Sequence, residues 1–436
     1  MTGTRPTAPV DLPPDGDAGA FPDWVWASGE ESSDPLVHHP VRPDDPTSPT
    51  VTTRVDELGG SGHLERMEAD CADVAAAGAT VIRYGIPWQR TEVSPGVYDW
   101  SLWDRALAAA ESAGLEVVVD LCHFGLPDHL CTGPGGDPAG FTDPTWVDSF
   151  LAYTEAFLAR YTEPRWFTPV NEPITTAFCS ALWGAWNDGV SSPEGYGRAL
   201  VLCQLADALA AAAIRADRPA SFPGAEALQV PALVHPSREQ DADRVVSEWF
   251  AALDLRTGHP LDPAAEHLVR GVPDAWLDRL AAVADPAGII SGHDLYPVSV
   301  SPFGAPGDEV ADLTVDDRVG AWEAFARRCH GRYGLPIWVA ETSNLGLDPA
   351  DGPAWLDALA ATCGRLRADG IDVRGICWYS RGDQLDWDTA LVPPAGALTR
   401  VGLYDMERAP RPALTAFRRL AAGGAPAGAP GTDAGA

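Results

Sequence analysis

Thr168-Pro-Val-Asn-Glu-Pro173 ends an apolar, strand-like run with a glutamate, and Ile337-Trp-Val-Ala-Glu-Thr342 repeats that arrangement in the second half of the chain. A carboxylate at the end of a buried strand loses solvation unless its charge is used, so Glu172 and Glu341 indicate a shared site. In a (β/α)8 barrel, side chains from opposite strands meet at the C-terminal end of the barrel. Paired carboxylates of this kind are what glycoside hydrolysis requires.

Short runs rich in valine and isoleucine alternate with longer alanine-rich segments of helical period. The candidate strands are Trp24–Ser28 and residues 79–85, 115–122, 165–171, 226–234, 287–294, 335–341 and 373–380. The candidate helices are residues 63–77, 101–113, 144–161, 195–216, 240–255, 316–332 and 353–369. Eight βα units close naturally into a TIM barrel, so the sequence predicts an α/β fold, a single-domain (β/α)8 barrel with long βα loops.

An open doubly wound sheet is the alternative arrangement of βα units. That fold usually carries a glycine-rich phosphate turn after its first strand, and no such turn follows Trp24–Ser28 or residues 79–85. Residues 217–224 are the one mid-chain composition break, and they are short enough to be an αβ loop. We therefore predict one barrel over residues 21–421, between low-complexity disordered tails at 1–20 and 422–436.

The net charge and the cysteines indicate which partners and which cellular compartment to expect. The formal net charge of -32 argues against nucleic acid and anionic membranes as partners, because both reward clusters of lysine and arginine. The first 20 residues show no apolar segment behind a basic start, which disfavours a secretory signal. Eight cysteines occur singly, without the spacing of a zinc site, and predict buried thiols in a reducing, cytoplasmic compartment.

Chemically useful side chains fall at the ends of most predicted strands, where a barrel places its active groups. In chain order they are Arg83, His123, Phe124, Asn171, Glu172, Asp294, Tyr296, Glu341 and Trp378. Each of them alone is compatible with a structural role, such as an ion pair or core packing. Their joint occurrence at matching strand ends predicts one active site.

These segments resemble the family 1 glycoside hydrolases, within the clan of retaining (β/α)8 glycosidases. Thr168-Pro-Val-Asn-Glu-Pro173 is similar to the T-x-N-E-P signature of that family, and Arg83-Tyr-Gly-Ile-Pro-Trp-Gln-Arg90 to its R-x-S-I-x-W-x-R segment. Four further segments add to the resemblance: Cys122-His-Phe-Gly-Leu-Pro127, Gly292-His-Asp-Leu-Tyr296, Asp383-Gln-Leu-Asp-Trp387 and Gly402-Leu-Tyr-Asp405. The tripeptide N-E-P alone is a weak signal, but it is specific in this order and company.

The resemblance implies a β-glucosidase-like exo-glycosidase that acts by double displacement on a small neutral carbohydrate or glycoside. It implies Glu172 as the general acid/base and Glu341 as the nucleophile. The implied supporting residues are Asn171, Arg83 and Tyr296, and the implied substrate-binding residues are His123, Phe124, Asp294, Trp378, Asp386 and Trp387. No metal or organic cofactor is required by this mechanism.

The chain departs from the family pattern mainly where the sugar is recognised. A glutamine expected after the first strand is absent from Trp26-Ala-Ser-Gly-Glu-Glu-Ser-Ser33, Asp294 replaces an asparagine, and Asp386 replaces a glutamate. Two alternatives therefore remain open. One is a catalytically weak or inactive barrel that binds a sugar or serves polysaccharide biosynthesis. The other is an endo-acting glycanase of a related family. An open groove formed by the loops at 124–143 and 381–401 would indicate endo-action, and a pocket would indicate exo-action.

Overall fold

The computed structural model describes residues 21–42, 45, 47–131, 139–218, 222–304 and 312–426. Eight parallel strands form one sheet. They are β1 (Val25–Gly29), β2 (Val81–Gly85), β3 (Glu116–Cys122), β4 (Trp166–Val170), β5 (Phe222–Ala227), β6 (Ile289–Asp294), β7 (Ile337–Thr342) and β8 (Val373–Trp378). A long helix follows each strand: α1 (His63–Ala76), α2 (Ser101–Ser112), α3 (Thr145–Arg160), α4 (Pro193–Asp217), α5 (Glu239–Thr257), α6 (Val315–Tyr333), α7 (Gly352–Ala368) and α8 (Pro412–Gly423).

The strand order is β4-β3-β2-β1-β8-β7-β6-β5, so consecutive strands are neighbours and the first strand pairs with the last. In register, Ala27 of β1 lies opposite Val81 of β2, and Trp26 lies opposite Ile376 of β8. The two ends of this order, β4 and β5, pack beside each other and complete the ring. The (β/α)8 barrel predicted from the sequence is confirmed.

Side chains of the barrel strands alternate between two apolar layers, as the period of a strand requires. Val81, Val118, Trp166 and Trp338 belong to a buried cluster that fills the barrel interior. Their neighbours along each strand pack into a much larger cluster between the sheet and the helices. Along β2 and β3, the next inward-facing positions after Val81 and Val118 therefore lie at the C-terminal end of the barrel, where long loops surround the site.

Shorter elements complete these loops. Helical turns occur at Glu57–Gly60, Trp88–Thr91, Pro173–Ala177, Phe178–Leu182 and Asp274–Ala281. Antiparallel pairs join Leu36–Pro40 to Thr50–Arg54, Glu92–Ser94 to Val97–Tyr98, and Gln384–Leu385 to Leu398–Thr399. The loops after β4, β6 and β8 supply most of the walls described below.

The fifth strand is displaced from its predicted position. It occupies Phe222–Ala227, which overlaps the end of the predicted loop at 217–224 and the start of the predicted strand at residues 226–234. Pro223 and Gly224 disfavour a strand in isolation, but among the described residues β5 has a hydrogen-bonded ladder only with β6, and an edge position tolerates a proline. Within the predicted range, Val230–Ala232 instead pairs with Val300–Pro302 above the barrel.

The ends of the domain lie close to the prediction. Helix α8 ends at Gly423, two residues beyond the predicted boundary at 421. The predicted tail at 1–20 and residues 427–436 of the predicted C-terminal tail lie outside the described residues.

One helix, α4, is long and apolar enough to cross a membrane by length and composition alone. In this structure 72% of its most apolar window is buried inside the protein. That burial explains its composition, because a helix packed on all sides in a core is apolar all round. All eight cysteines are buried free thiols, as the sequence predicts.

Candidate active site

The two glutamates meet at the mouth of the barrel. Glu172 directly follows β4 in a left-handed backbone conformation (φ 40°, ψ 66°), which is unfavourable for a residue with a side chain and turns the carboxyl toward the barrel axis. Glu341 lies on β7, where the pairing register shifts between Val339 and Thr342. Strand irregularities of this kind re-aim side chains. As a result, one oxygen of Glu172 and one of Glu341 lie within 4.8 Å of each other.

A buried arginine holds the site together from below. Arg83, on β2, is fully buried, and its Nη1 donates to Oε1 of Glu341. Its Nη2 donates to Oδ2 of Asp120 at 2.8 Å and to Oδ1 of Asn171 at 2.5 Å. Asp120 also accepts from Nδ1 of His123 at 2.8 Å. Removing one partner from this network would leave a buried charge unpaired, which is strongly destabilising. The network therefore holds these groups in a fixed arrangement.

The surroundings of Glu341 favour its ionised form more than those of Glu172. Burial raises the pKa of Glu341, but the positive charges of Arg83 and His123 act against that rise. Tyr296 adds a hydrogen bond, with its Oη donating to Oε2 of Glu341 at 2.6 Å. Both oxygens of Glu341 therefore accept from donors, as a carboxylate acting as a nucleophile requires.

Glu172 is held in the protonated form at neutral pH. Burial and then the negative charge of Glu341 raise its pKa to about 8, while a hydrogen bond from Thr175 acts in the opposite direction. Two neighbouring carboxyls with pKa values pushed apart can divide the roles of acid and nucleophile between them.

Asp294, at the end of β6, brings a third carboxyl to the same place. One of its oxygens lies within 4.8 Å of oxygens of Glu172 and Glu341. Burial, the charge of Glu341 and the charge of Glu172 raise its pKa well above the usual range of aspartate. A side-chain hydrogen bond with Glu172 raises this pKa further, and the side chain of Asp294 lines the cavity.

The site opens into a cavity of about 210 Å³. Glu172, Asp294, Tyr296 and Glu341 line it, together with His123, Phe124 and Trp387. The ring of Phe124 packs against Trp387 with centroids 5.9 Å apart, and both rings pack on the buried Trp186. This aromatic wall offers the flat apolar surface on which the C–H face of a sugar stacks.

Glu31 and Gln384 are among the residues of the cavity wall that were not predicted. Glu31, from the loop after β1, accepts from Nε2 of Gln384 at 3.0 Å and from the backbone N–H of Ser33 at 2.9 Å. Its Oε1 also lies 3.3 Å from Nε2 of His123. The sequence shows that this loop lacks the glutamine of the family pattern, but only the folded loop brings Glu31 and Gln384 together.

Trp378 differs from its predicted role. Its indole is fully buried in the layer between strands and helices, and Nε1 donates to the carbonyl of Val401 at 2.9 Å. Because side chains alternate along β8, the inward positions are Cys377 and Tyr379. Tyr379 lies under the site, stacked on His123 at 5.9 Å with its ring 5.4 Å from the guanidinium carbon of Arg83.

Asp386 also differs from its predicted role as a sugar ligand. Its carboxylate accepts from the backbone N–H groups of Ala395, Gly396 and Ala397 at 2.7 to 2.8 Å. The shorter side chain thus folds back on its own loop and does not line the cavity. It positions the segment that carries Trp387.

Two groups of described side chains have the spacing of metal ligands: Glu30, His63 and Asp70, and Glu172, Asp294 and Glu341. In the first group, Arg381 already pairs with Glu30 at 2.7 Å and with Asp70 at 3.1 Å. In the second, Arg83 pairs with Glu341, and the pKa values of all three acids are raised. In both groups an arginine therefore already occupies carboxylate oxygens that a cation would otherwise bind.

Residues 48–245 match the sequence model of Glycosyl hydrolase family 1. A family 1 β-glucosidase from Thermotoga maritima is 14% identical, with a TM-score of 0.74 over 92% of this chain and 98% of that one. A GH1 β-glucosidase from Exiguobacterium antarcticum B7 is 16% identical, with a TM-score of 0.71 over the same shares. No curated protein matches the sequence. At these identities the structural neighbours establish the barrel fold, and the family match confirms the resemblance seen in the motifs.

Proposed function

We propose that this chain, a divergent member of glycosyl hydrolase family 1, is a retaining exo-β-glycosidase with Glu341 as nucleophile and Glu172 as acid/base. The observation that carries the proposal is the pair of buried carboxyls within 4.8 Å of each other, one paired with Arg83 and Tyr296 and the other favouring its proton. Retaining glycosidases separate their carboxyls by about 5 to 5.5 Å, whereas inverting enzymes leave roughly 6.5 to 9.5 Å for a water molecule.

In the first step the carboxylate of Glu341 attacks the anomeric carbon and forms a glycosyl-enzyme, while the glycosidic C–O bond breaks. Glu172 gives its proton to the departing oxygen, which leaves as an alcohol. Loss of that proton leaves Glu172 ionised. The bond made by Glu341 removes its charge at the same moment, so the local repulsion does not increase.

In the second step Glu172 takes a proton from water, and the hydroxide attacks the anomeric carbon from the face that the leaving group vacated. The bond to Glu341 breaks, and the sugar is released with its original configuration. Arg83 and Tyr296 again receive the full charge of the Glu341 carboxylate. The network around Arg83 thus stabilises the charged form at the start and end of each cycle without moving.

Residues 132–138 of the loop at 124–143 lie outside the described residues. The described walls of the cavity favour exo-action over the endo-acting alternative. The aromatic wall of Phe124, Trp186 and Trp387 bounds one end, and Glu31 and Gln384 lie beside it. A sugar ring seated there would have to be a chain terminus. The free thiols add support to the cytoplasmic location expected from the sequence.

A panel of β-glycosides with Glu172→Ala and Glu341→Ala tests both roles. Because a good leaving group such as nitrophenol needs no protonation, Glu172→Ala should slow release of poor leaving groups by roughly 10² to 10⁴-fold and spare the first step on nitrophenyl glycosides. Glu341→Ala should abolish turnover of the glycosides with poor leaving groups and of the nitrophenyl glycosides. Glu65→Gln, an exposed glutamate on α1, is the control.

The same panel separates hydrolysis from the binding alternative. A wild-type protein that turns over no glycoside in the panel, yet binds a sugar, would favour the inactive barrel. Equal effects of the two alanine variants on both leaving-group classes would contradict the assignment of roles.

A further inference from the structure

The carboxyl and basic side chains that line the catalytic cavity are almost all acidic. Among the described lining residues they are Glu31, His123, Glu172, Asp294 and Glu341, without a lysine or an arginine. Burial and the neighbouring negative charges raise the pKa values of Glu172 and Asp294. A cleft lined by charges of one sign concentrates ligands of the opposite sign. The composition of this wall therefore favours a ligand with a positive charge.

The cations of the site do not balance its ionised carboxylates. Burial lowers the pKa of His123, but the charges of Asp120 and Glu31 outweigh burial and raise that pKa to about 10, so the imidazole is positive at neutral pH. The other cation is Arg83, which lies below the cavity and pairs with Asp120 and Glu341. Among the described residues of the site, two cations thus face the carboxylates of Glu31, Asp120 and Glu341. Even when the other two carboxyls of the cavity hold protons, one negative charge is left without a partner.

Glu31 is the carboxylate at which a ligand can meet this charge. Its side chain lines the cavity and keeps 7% of its surface exposed. Oε1 accepts from the backbone N–H and the hydroxyl of Ser33 and lies 3.3 Å from Nε2 of His123. Oε2 accepts from Nε2 of Gln384 at 3.0 Å. Because a carboxylate has about four lone-pair sites over its two oxygens, Oε2 has capacity for one more hydrogen bond.

The donors beside Glu31 are already committed to acceptors of the protein. Nε2 of Gln384 donates to Glu31 and lies 3.4 Å from Oγ of Ser380, so each hydrogen of its amide has an acceptor. The ring nitrogens of His123 lie 2.8 Å from Oδ2 of Asp120 and 3.3 Å from Oε1 of Glu31. This end of the cavity therefore presents acceptor oxygens to a ligand. A hydroxyl donates one hydrogen and is itself an acceptor, whereas an ammonium donates three and adds the missing positive charge.

We propose that the sugar hydrolysed by this chain carries a protonated amino group, and that Glu31 selects it. The inference rests on the hydrolysis proposed above and names its substrate class, the β-glycosides of amino sugars. The ammonium donates to Oε2 of Glu31. Since Glu172 and Glu341 act at the anomeric carbon, the amino group is on another carbon of the sugar.

The test compares nitrophenyl β-glycosides of amino sugars with their hydroxyl parents. The amino group replaces the hydroxyl at carbon 2, 3, 4 or 6 of glucose and of galactose, one position at a time. A hydrogen bond to a charged group contributes about 10- to 150-fold in affinity. We expect kcat/KM of at least one amino glycoside to exceed that of its parent tenfold or more at pH 6, where the amine is protonated.

Two readouts assign this preference to Glu31. The Glu31→Gln variant keeps the shape of the side chain and removes its charge, so the ratio of kcat/KM between the amino glycoside and its parent should fall at least tenfold. Asp388→Asn is the matched control, because it removes a carboxylate at an exposed position in the loop after β8, outside the cavity lining. The same ratio in wild type should fall as the pH rises through about 8, where an amine of this kind loses its proton. The titration of Glu172 acts on both substrates and cancels in the ratio.

The outcomes separate the amine inference from hydrolysis itself. If the parent glycosides are hydrolysed and no amino glycoside exceeds its parent, the amine inference is overturned and hydrolysis stands. An amino preference that Glu31→Gln does not reduce would place the ammonium elsewhere and overturn the inference as well. Equal losses of the amino and parent activities in Glu31→Gln would assign Glu31 to the fold or the transition state, which also overturns it. If wild type hydrolyses none of these glycosides, both proposals fail.

Discussion

Replacing Asp294 by asparagine tests how protons are distributed among the three carboxyls of the site. Burial and the two neighbouring glutamates raise the pKa of Asp294 well above its usual range, and the prediction is that this group keeps its proton at pH 7. Asparagine has nearly the same shape and is also neutral. The Asp294→Asn variant should therefore keep the charge seen by Glu172.

The distance gives the size of the effect that an ionised Asp294 would have. Two unit charges within 4.8 Å of each other, at an effective dielectric constant of about 20, interact by roughly 3.5 kcal/mol or more. That energy corresponds to about 2.5 pH units in the titration of Glu172. A neutral Asp294 exerts no such repulsion, so its replacement should move the titration of Glu172 by less than about half a unit.

The measurement is the pH dependence of kcat/KM on an alkyl β-glycoside, whose poor leaving group requires the acid. Because Glu172 must be protonated, its titration gives the alkaline limb, expected near its raised pKa of about 8. Asp278→Asn, at an exposed position on the short helix Asp274–Ala281, is the control. A fall of the alkaline limb by about two units in Asp294→Asn would refute the neutral state of Asp294.

Two further predictions concern stability. The pKa of Glu172 is raised in the fold, so the fold favours the proton. The stability that this provides is fully present below about pH 4.5 and is lost as the pH rises through about 8. At pH 9 the Glu172→Gln variant should therefore exceed wild type in its free energy of unfolding by up to roughly 5 kcal/mol, and it should unfold at a higher temperature. At pH 4.5 the two proteins should unfold similarly. A difference in stability that stays constant between these pH values would contradict the raised pKa. Asp386→Ala removes the acceptor of three backbone N–H groups and should cost about 1 to 3 kcal/mol in chemical denaturation, with earlier proteolysis at residues 386–397; an unchanged unfolding midpoint would show that the loop does not depend on this carboxylate.

The barrel was predictable because its strands and helices have different hydrophobic periods. Runs such as Val81–Gly85 are buried on both faces, and the amphipathic helices between them have clear ends, so most boundaries fall within two residues of the prediction. The strand at Phe222–Ala227 could not be found in this way. Its proline is tolerated because, among the described residues, the strand has a hydrogen-bonded ladder on one side only, and nothing local to the segment carries that information.

The site was predictable where side chains project from regular strands. Arg83 follows the inward Val81 by two residues, so strand alternation alone aims it at the site. The same rule, applied to β8, would have selected Tyr379 in place of Trp378. Glu341 reaches the site through a register shift, and Glu172 through a left-handed backbone turn; neither is visible in a hydrophobic pattern.

The cavity presents carboxyl groups where the family pattern has amides, and this changes what a sugar would meet. Asp294 stands at the position of an asparagine, and Glu31, in the loop that lacks the expected glutamine, lines the cavity wall. An ionised carboxylate accepts hydrogen bonds but cannot donate them, whereas an amide does both. Glu31 already accepts from Ser33 and Gln384, so its remaining capacity is for a hydroxyl that donates. A protonated Asp294 has one hydrogen to give, and its side chain shares a hydrogen bond with Glu172. A bound sugar that accepts this hydrogen on a hydroxyl oxygen would take the place of Glu172, and the recognition of such a sugar would weaken at the pH where Asp294 ionises. Under the proposed mechanism, the protonation of Asp294 would therefore affect both sugar selection and catalysis.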